Sequence, residues 1–337
     1  MTQPTANTAS FSNDVALVDQ SYKGLLLLKG KDGLDLLHRL STNDLSGMRN
    51  ERVAQTIFTT EKGRLVDIVD VIRLDEANVT IVTSSAEPLV MNWIMRFVIM
   101  EDVEISNVSE STAHLSLFGS YAPDIAQQLG LTEGVIKQLS DLPGTPLVYH
   151  TTLIETQRIS FLVQKSYVDD LEKWLLSRSP RISKESEATH EHWRIVKGIP
   201  AFGKEITTDY NPYEVNLSEV INFAKGCYVG QEVIARLDTY DKVQKQLVKI
   251  SFKGVLTKQS LPTLLFHNGL EIGALTSVSP LLADDFQCAL GVIRKNSVLD
   301  GETVYAIDDS GNQVTGAVSL AQVQPPRSAA KRTSIRI

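Results

Sequence analysis

The sequence is poor in cysteine. Among its 337 residues only Cys227 and Cys288 occur, too few for a disulfide framework in so long a chain, and such scarcity fits a reducing compartment. Two thiols and six histidines also argue against a zinc or iron–sulfur site built by this chain alone. Only His190 and His192 lie close together, and no cysteine or carboxylate motif brackets them at a metal-ligand spacing. That pair reads as a polar loop or helix start, and no metal site is expected.

Long apolar runs are missing as well. The longest, Pro88 to Met100, is interrupted by Asn92 and Arg96 and falls short of the ~20 residues that cross a bilayer, so no membrane span is expected. There is no basic excess either: 33 Lys and Arg face 40 Asp and Glu, for a net charge of −7. This excludes a generally basic, polyanion-coating protein, and no specific nucleic-acid partner is expected. The first thirteen residues carry no Lys or Arg, whereas a signal or transit peptide needs a basic flank or an Arg-rich face. They read as the frayed start of a cytoplasmic protein.

What is present is an ordinary globular composition. The length suggests about two domains at roughly 150 residues each, and 42% apolar residues are enough to give each a core. The leucine run between Gly24 and Gly30, followed by Asp32 and then Leu34, Leu37 and Leu40, reads as strand, turn and helix. Val53–Thr60 and Leu65–Leu74, split by Glu61-Lys62-Gly63, form a hairpin signal. The run Val79–Ser84 leads into Pro88 and an apolar stripe through Trp93, Ile94 and Phe97, a strand followed by a helix. Further strands are expected at Val103–Val108, His114–Phe118, Leu147–Ile154 and Ile159–Val163, and helices near Ala122–Leu129, Tyr167–Ser177 and Thr189–Lys197. Mixed elements without a regular βαβ alternation point to α+β. Beyond Lys242 about six short strands follow one another between Gly, Asn, Asp and Pro, the pattern of a small closed barrel. The expected organisation is thus an α+β region over 14–240, a C-terminal β-barrel over 241–322, and a basic flexible tail over 323–337. That tail carries Arg327, Lys331, Arg332 and Arg336, and a solvated segment is its simplest reading.

One stretch carries chemistry: Lys225-Gly226-Cys227-Tyr228-Val229-Gly230-Gln231-Glu232, running into a helix-forming segment with Arg236. Two glycines around a cysteine allow a turn that exposes the thiol near a helix N-terminus. There the helix dipole and the charge of Lys225 would enrich thiolate. A lone cysteine is equally at home as a small buried filler. Tyr228 and Gln231 read as loop-positioning residues, and Glu232 as a dipole or capping partner. Cys288, in the apolar run Phe286 to Ile293, reads as core.

The eight-residue pattern resembles the signature of the YgfZ family, folate-binding relatives of the glycine-cleavage T-protein. The resemblance extends to Trp193-Arg194-Ile195, Gly198-Ile199-Pro200, Gly203-Lys204-Glu205-Ile206 and Pro212-Tyr213-Glu214-Val215-Asn216-Leu217. Ser41-Thr42-Asn43-Asp44 and Thr60-Glu61-Lys62-Gly63-Arg64 add two N-terminal turns. It implies a T-protein-like folate-binding region of mixed sheets and helices followed by a small β-barrel. It further implies a tetrahydrofolate or derivative as cofactor, and a role with iron–sulfur client enzymes or cluster-assembly proteins in making or repairing their clusters, with Cys227 as the reactive thiolate. By the same resemblance Arg194, Glu214, Asn216 and Arg64 are the candidate folate contacts, although Arg194 could instead pair with Glu191 and Arg64 could be a hairpin-edge charge. Two departures from the T-protein stand out. No aspartate stands in Val82-Thr83-Ser84-Ser85-Ala86-Glu87-Pro88, where a folate-facing acid is expected, and a Tyr-Thr-Gly-Glu turn is missing around Thr156–Ser160. Aminomethyl transfer is therefore the alternative function, and a non-catalytic client-binding scaffold the third.

Overall fold

The computed structural model describes residues 14–240, 242–258 and 260–320. They fall into two compact units: residues 14–186 with Val220–Gln231, and Glu187–Glu219 with the described residues from Glu232 onward.

The first unit runs β1 (Val15–Asp19), β2 (Leu25–Lys29), α1 (Gly33–Leu40), β3 (Arg52–Thr59), β4 (Leu65–Arg73), β5 (Asn78–Val82), α2 (Leu89–Met95) and β6 (Glu104–Asn107). It continues with β7 (Thr112–Phe118), α3 (Ala122–Gln128), β8 (Ile136–Gln138), β9 (Leu147–Leu153), β10 (Thr156–Gln164), α4 (Val168–Arg178) and β11 (Ile182–Lys184). Two sheets result, in the orders β3-β4-β5-β2-β6 and β11-β1-β7-β10-β9-β8. Each covers its outer face with helices of matching apolar stripe. Leu36, Leu37 and Leu40 of α1 and Val90, Trp93 and Ile94 of α2 pack on the first sheet. Ile125 of α3 and Leu171 and Leu175 of α4 pack on the second. Between the sheets lies a smaller apolar cluster of Leu25, Val53, Ile72, Val82, Ile136, Tyr149 and Leu162.

This layering explains the sequence of β4, which is buried almost throughout. Val69 and Val71 face the helices while Ile72 faces the other sheet, so a strand covered on both sides loses its polar alternation. The β3–β4 turn is the expected hairpin. Gly63 sits at φ +65°, and the Thr60 amide donates to the Arg64 carbonyl at 2.8 Å.

The second unit contains α5 (Glu187–Lys197), α6 (Gln231–Tyr240), β12 (Lys245–Lys253), β13 (Thr263–His267), β14 (Leu270–Ala283), β15 (Phe286–Arg294), β16 (Thr303–Ile307) and β17 (Gln313–Leu320). The six strands close into a barrel, β12-β15-β14-β13-β16-β17, around Val248, Ile250, Phe252, Leu265, Leu275, Ile293 and Val304. The α+β class and the C-terminal barrel are those expected from the sequence. The tail over 323–337 lies outside the described residues. Among the described residues, no helix is long and apolar enough to cross a membrane.

The division of the chain differs from a single region over 14–240. Glu187–Glu219 packs with the barrel because its polar groups are anchored there. Arg194 donates to Ser277 Oγ at 2.8 Å, and the hydroxyls of Thr276 and Ser277 donate to Glu205 Oε1 at 2.6 Å each. His192 Nδ1 lies 2.7 Å from Ser279 Oγ. All three of these barrel residues are on β14.

Glu205 is fully buried and also accepts from Arg194 Nη1 and the Ala201 amide. Removing a buried charge partner costs roughly 3–5 kcal/mol because the groups left behind stay unpaired. Glu205→Ala is expected to lower unfolding stability by about that amount in a denaturant titration, whereas Glu133→Ala, at an exposed position, is expected to change it by less than about 0.5 kcal/mol.

Candidate functional site

The Lys-Gly-Cys-Tyr-x-Gly-Gln-Glu segment lies in a loop between Val220 and the start of α6, and the loop is fastened to the first unit. The Asn222 amide donates to the Thr42 carbonyl (3.0 Å) and the Thr42 hydroxyl to the Val220 carbonyl (3.1 Å). The Val229 amide donates to the Arg39 carbonyl (3.3 Å), and its own carbonyl accepts from the Thr59 hydroxyl (2.7 Å). Lys225 is the pin. Its ammonium is buried against the C-terminal end of α1 and donates to the carbonyls of His38, Ser41 and Asn43 at 2.5, 2.5 and 2.9 Å. Burial lowers its pKa to about 8. Nζ also stands 5.1 Å above the centre of the Tyr228 ring, a cation–π contact, and burial pushes the Tyr228 hydroxyl up to about 12.

This geometry corrects the role expected of Lys225. Its charge is committed to three backbone oxygens, and α6 begins at Gln231, four positions beyond the cysteine. What the loop does is present Cys227 to solvent, where the thiol is exposed. Cys288 is half-buried in β15, and burial raises its thiol pKa against the opposing charge of Lys249.

The two glycines of the motif differ. Gly230 has φ +81°, and a Cβ there would come within 2.5 Å of the Thr60 carbonyl oxygen and 2.7 Å of Thr59 Oγ1, so only glycine brings the loop against the β3–β4 hairpin. A Cβ at Gly226 would meet nothing within 4 Å, and packing does not require that glycine. Arg64 belongs to the same assembly, its amide accepted by Thr60 Oγ1 at 3.2 Å on the turn that Gly230 touches. Gln231 opens α6 with its amide donating to the Tyr228 carbonyl at 3.2 Å. Glu232 and Arg236 are exposed on α6. Neither side chain makes a hydrogen bond or ion pair among the described residues; Glu232 stands in the first turn of α6, the position of the dipole role expected of it, without a capping hydrogen bond.

The other candidates lie in the second unit. Arg194, 4% exposed, directs Nε and Nη2 at both carboxylate oxygens of Glu191, Nη1 at the Ile199 carbonyl and Glu205, and Nη2 also at Ser277. All five of its N–H donors are accounted for. Arg194 thus pairs with Glu191 and braces α5 on the barrel, and it has no donor to offer a ligand carboxylate. Glu214 stabilises a turn, its Oε2 accepting the Asn211 amide at 3.0 Å. Asn216 stands at φ +61°, and its Oδ1 is buried with no hydrogen-bond partner among the described residues. A buried acceptor in this state is what a ligand donor would satisfy. Of the four proposed folate contacts, Asn216 is the one whose geometry most favours the role.

A polar cluster that sequence reasoning missed lies between the two sheets of the first unit. Asp70, on β4, accepts from Gln55 Nε2 (3.0 Å), from the Tyr149 hydroxyl (2.8 Å) and from Arg158 Nη2. Asp67, 1% exposed, accepts the Ser84 amide at 2.9 Å and the Ile68 amide at 2.8 Å. Burial raises its pKa to about 6. A carboxylate therefore does stand against the stretch Val82 to Pro88, contributed by the facing strand. The signal was present in the sequence, since Asp67 and Asp70 are two acids inside the apolar run Leu65–Leu74. Among the described residues no three His, Cys, Asp or Glu side chains gather as a metal site.

Two outcomes follow. Gly230→Ala is expected to destabilise the protein by more than about 1 kcal/mol, through strain at positive φ together with the backbone clash, and Gly226→Ala by less than about 0.5 kcal/mol; chemical denaturation measures both. Because the carboxyl pKa of Asp67 is higher folded than its ordinary value near 4, the native state holds that proton more tightly. Its burial therefore lowers stability as pH rises from about 4 to about 6. The stability of Asp67→Asn relative to wild type should rise over that window by roughly 3 kcal/mol and be flat above it, at 1.36 kcal/mol per unit of pKa.

The GCVT N-terminal domain matches residues 3–140. A chloroplastic Arabidopsis thaliana protein bearing a provisional transferase name is 27% identical over 324 residues, 94% of this chain and 74% of the relative. The aminomethyltransferase of Thermotoga maritima is 26% identical over 325 residues, 90% of this chain and 85% of the relative. The crystal structure of the glycine cleavage system aminomethyltransferase T from Bartonella henselae superposes with a TM-score of 0.74 at 16% identity, covering 93% of this chain and 87% of that one. The chain therefore carries an aminomethyltransferase-like fold, and its sequence is related to the aminomethyltransferases over most of its length.

Proposed function

We propose that this protein is a tetrahydrofolate-binding accessory factor for the assembly or repair of iron–sulfur clusters in client enzymes, acting through Cys227. The observation that carries the reading is the exposed thiol of Cys227 on a loop held by the buried Lys225 ammonium and by Gly230. A fold that fixes a loop this firmly and leaves a cysteine at its surface presents that sulfur to another molecule. The kinship with aminomethyltransferases and the YgfZ-like motif support a folate as the small molecule.

The residues of each unit fit that ligand in part. In the first unit Asp67 is a buried carboxylate held by two backbone amides and suited to an N–H group of a pterin; in the second, Asn216 Oδ1 is by itself a buried acceptor without a partner among the described residues. Arg194 does not fit the anionic end. When bound, the folate supplies a reduced ring able to carry a one-carbon unit. Cys227 would supply a thiolate ligand for iron, or a thiol that exchanges with a partner's disulfide, and further ligands for iron would come from the client.

The second reading is folate-dependent aminomethyl transfer, favoured by the relationship to aminomethyltransferases over 90% of the chain. In a strain lacking the protein, Cys227→Ser is expected to leave [4Fe–4S] enzyme activities unrestored while the variant keeps the wild-type melting temperature. Iodoacetamide at about pH 7 should label Cys227 well before Cys288. Equal restoration by Cys227→Ser would leave a non-catalytic scaffold. Formation of methylene-tetrahydrofolate from an aminomethylated lipoyl carrier would establish the transferase instead.

A further inference from the structure

The helix that the cysteine motif runs into has a packed side and an open one. On α6, Ile234 is fully buried, with Val233 and Leu237 half-buried beside it. Glu232, Ala235, Arg236, Thr239 and Tyr240 are all exposed, and their spacing of i, i+3, i+4, i+7 and i+8 places them on one stripe of the helix. Tyr240 is 64% exposed, more than any other aromatic side chain among the described residues. The Lys242 ammonium stands 5.5 Å from the centre of its ring, a cation–π contact.

Glu232 and Arg236 have the i, i+4 spacing of an intrahelical ion pair, yet among the described residues no pair closes between them and both charges stay open to solvent. One charge of each sign, about 6 Å apart along the axis at 1.5 Å per residue, complements a surface that carries the opposite two in the opposite order. That pattern disfavours other occupants. A lipid surface needs aliphatic side chains where the stripe has Ala235 and Thr239. A nucleic acid would meet the Glu232 carboxylate beside the one arginine of the stripe. A second copy could pair the two charges across a twofold axis, but a helix of ten residues, about 15 Å long, falls well short of the roughly 1,000 Å² that a lasting dimer buries. A folded protein that docks briefly needs less, and arginine and tyrosine are the side chains that anchor such contacts.

We propose that the exposed stripe of α6 is the docking face for the client protein, which offers an acidic residue to Arg236, a basic residue to Glu232 and a contact surface to the Tyr240 ring. That the partner is an iron–sulfur protein rests on the reading under Proposed function, whereas the charge pattern that selects it does not. Glu232 and Arg236 thereby acquire a task outside the packing of their own unit, and the test separates that task from a merely solvated helix face.

The experiment places a photo-crosslinking amino acid at position 239 of the full chain, in cells lacking the natural protein, and identifies the adducts by mass spectrometry. The expected adduct is with a [4Fe–4S] enzyme or a cluster-assembly protein, and Arg236→Glu and Tyr240→Ala are each expected to reduce it about tenfold or more. Both variants should keep the wild-type melting temperature and the iodoacetamide labelling rate of Cys227, which separates lost docking from lost fold. An adduct that forms equally in Arg236→Glu and Tyr240→Ala, an adduct with a second copy of the chain or with nucleic acid, or none at all would overturn the docking face. An Arg236-dependent adduct with a protein that holds no cluster would keep the face and overturn the iron–sulfur reading. Restoration of [4Fe–4S] activities by Arg236→Glu but not by Cys227→Ser would overturn the face and keep that reading.

Discussion

Asp70 is the charge on which the first unit depends. It projects from β4 toward the opposite sheet, is 4% exposed, and is met there by the Tyr149 hydroxyl from β9 and the Arg158 guanidinium from β10. Two sheets that otherwise meet through a small apolar cluster are thus registered by a charge-assisted set of hydrogen bonds. A buried ion pair is weak as a source of net stability but strict in geometry, because any arrangement that separates its members leaves a charge unsolvated. That strictness orients Arg158. Burial and then the nearby Asp70 charge raise the Tyr149 hydroxyl well above its ordinary range, so it remains a donor at every physiological pH.

The motif around Cys227 works by a related principle with the chemistry redistributed. Its lysine is structural, a buried ammonium closing the carbonyl end of α1, as cations do at helix C-termini. Its second glycine is the contact point with the hairpin. These residues secure the ends of a short segment and leave the cysteine at the surface. The thiol is thus exposed by a loop whose ends are fixed.

Much of the fold was legible because it obeys local rules. The β3–β4 hairpin announced itself by two β-rich runs around Glu61-Lys62-Gly63, and the barrel by six short strands at turn-bounded intervals. The five-residue strand β1 was not read, since a short apolar run has no period of its own, and the three-residue strands β8 and β11 carry no pattern at all. The grouping of Glu187–Glu219 with the barrel was invisible for another reason. It rests on Arg194 reaching Ser277 and on Glu205 reaching Thr276 and Ser277, pairs separated by more than seventy positions. The site residues divide similarly. Resemblance pointed to Lys225, Cys227, Gly230 and Arg194, but whether a cation faces a ligand or a backbone carbonyl is decided by tertiary contacts that no motif encodes.

That distinction orders the cations of the molecule by what they have left to give. Arg194 has every donor engaged, and Lys225 is closed by three carbonyls, so both contribute to architecture and neither is free for recognition. Exposed lysines such as Lys62 are solvated by water and bind nothing strongly for that reason. Arg158 stands between the two, with Nη2 on Asp70 and Thr151 and a buried Nε that has no partner among the described residues.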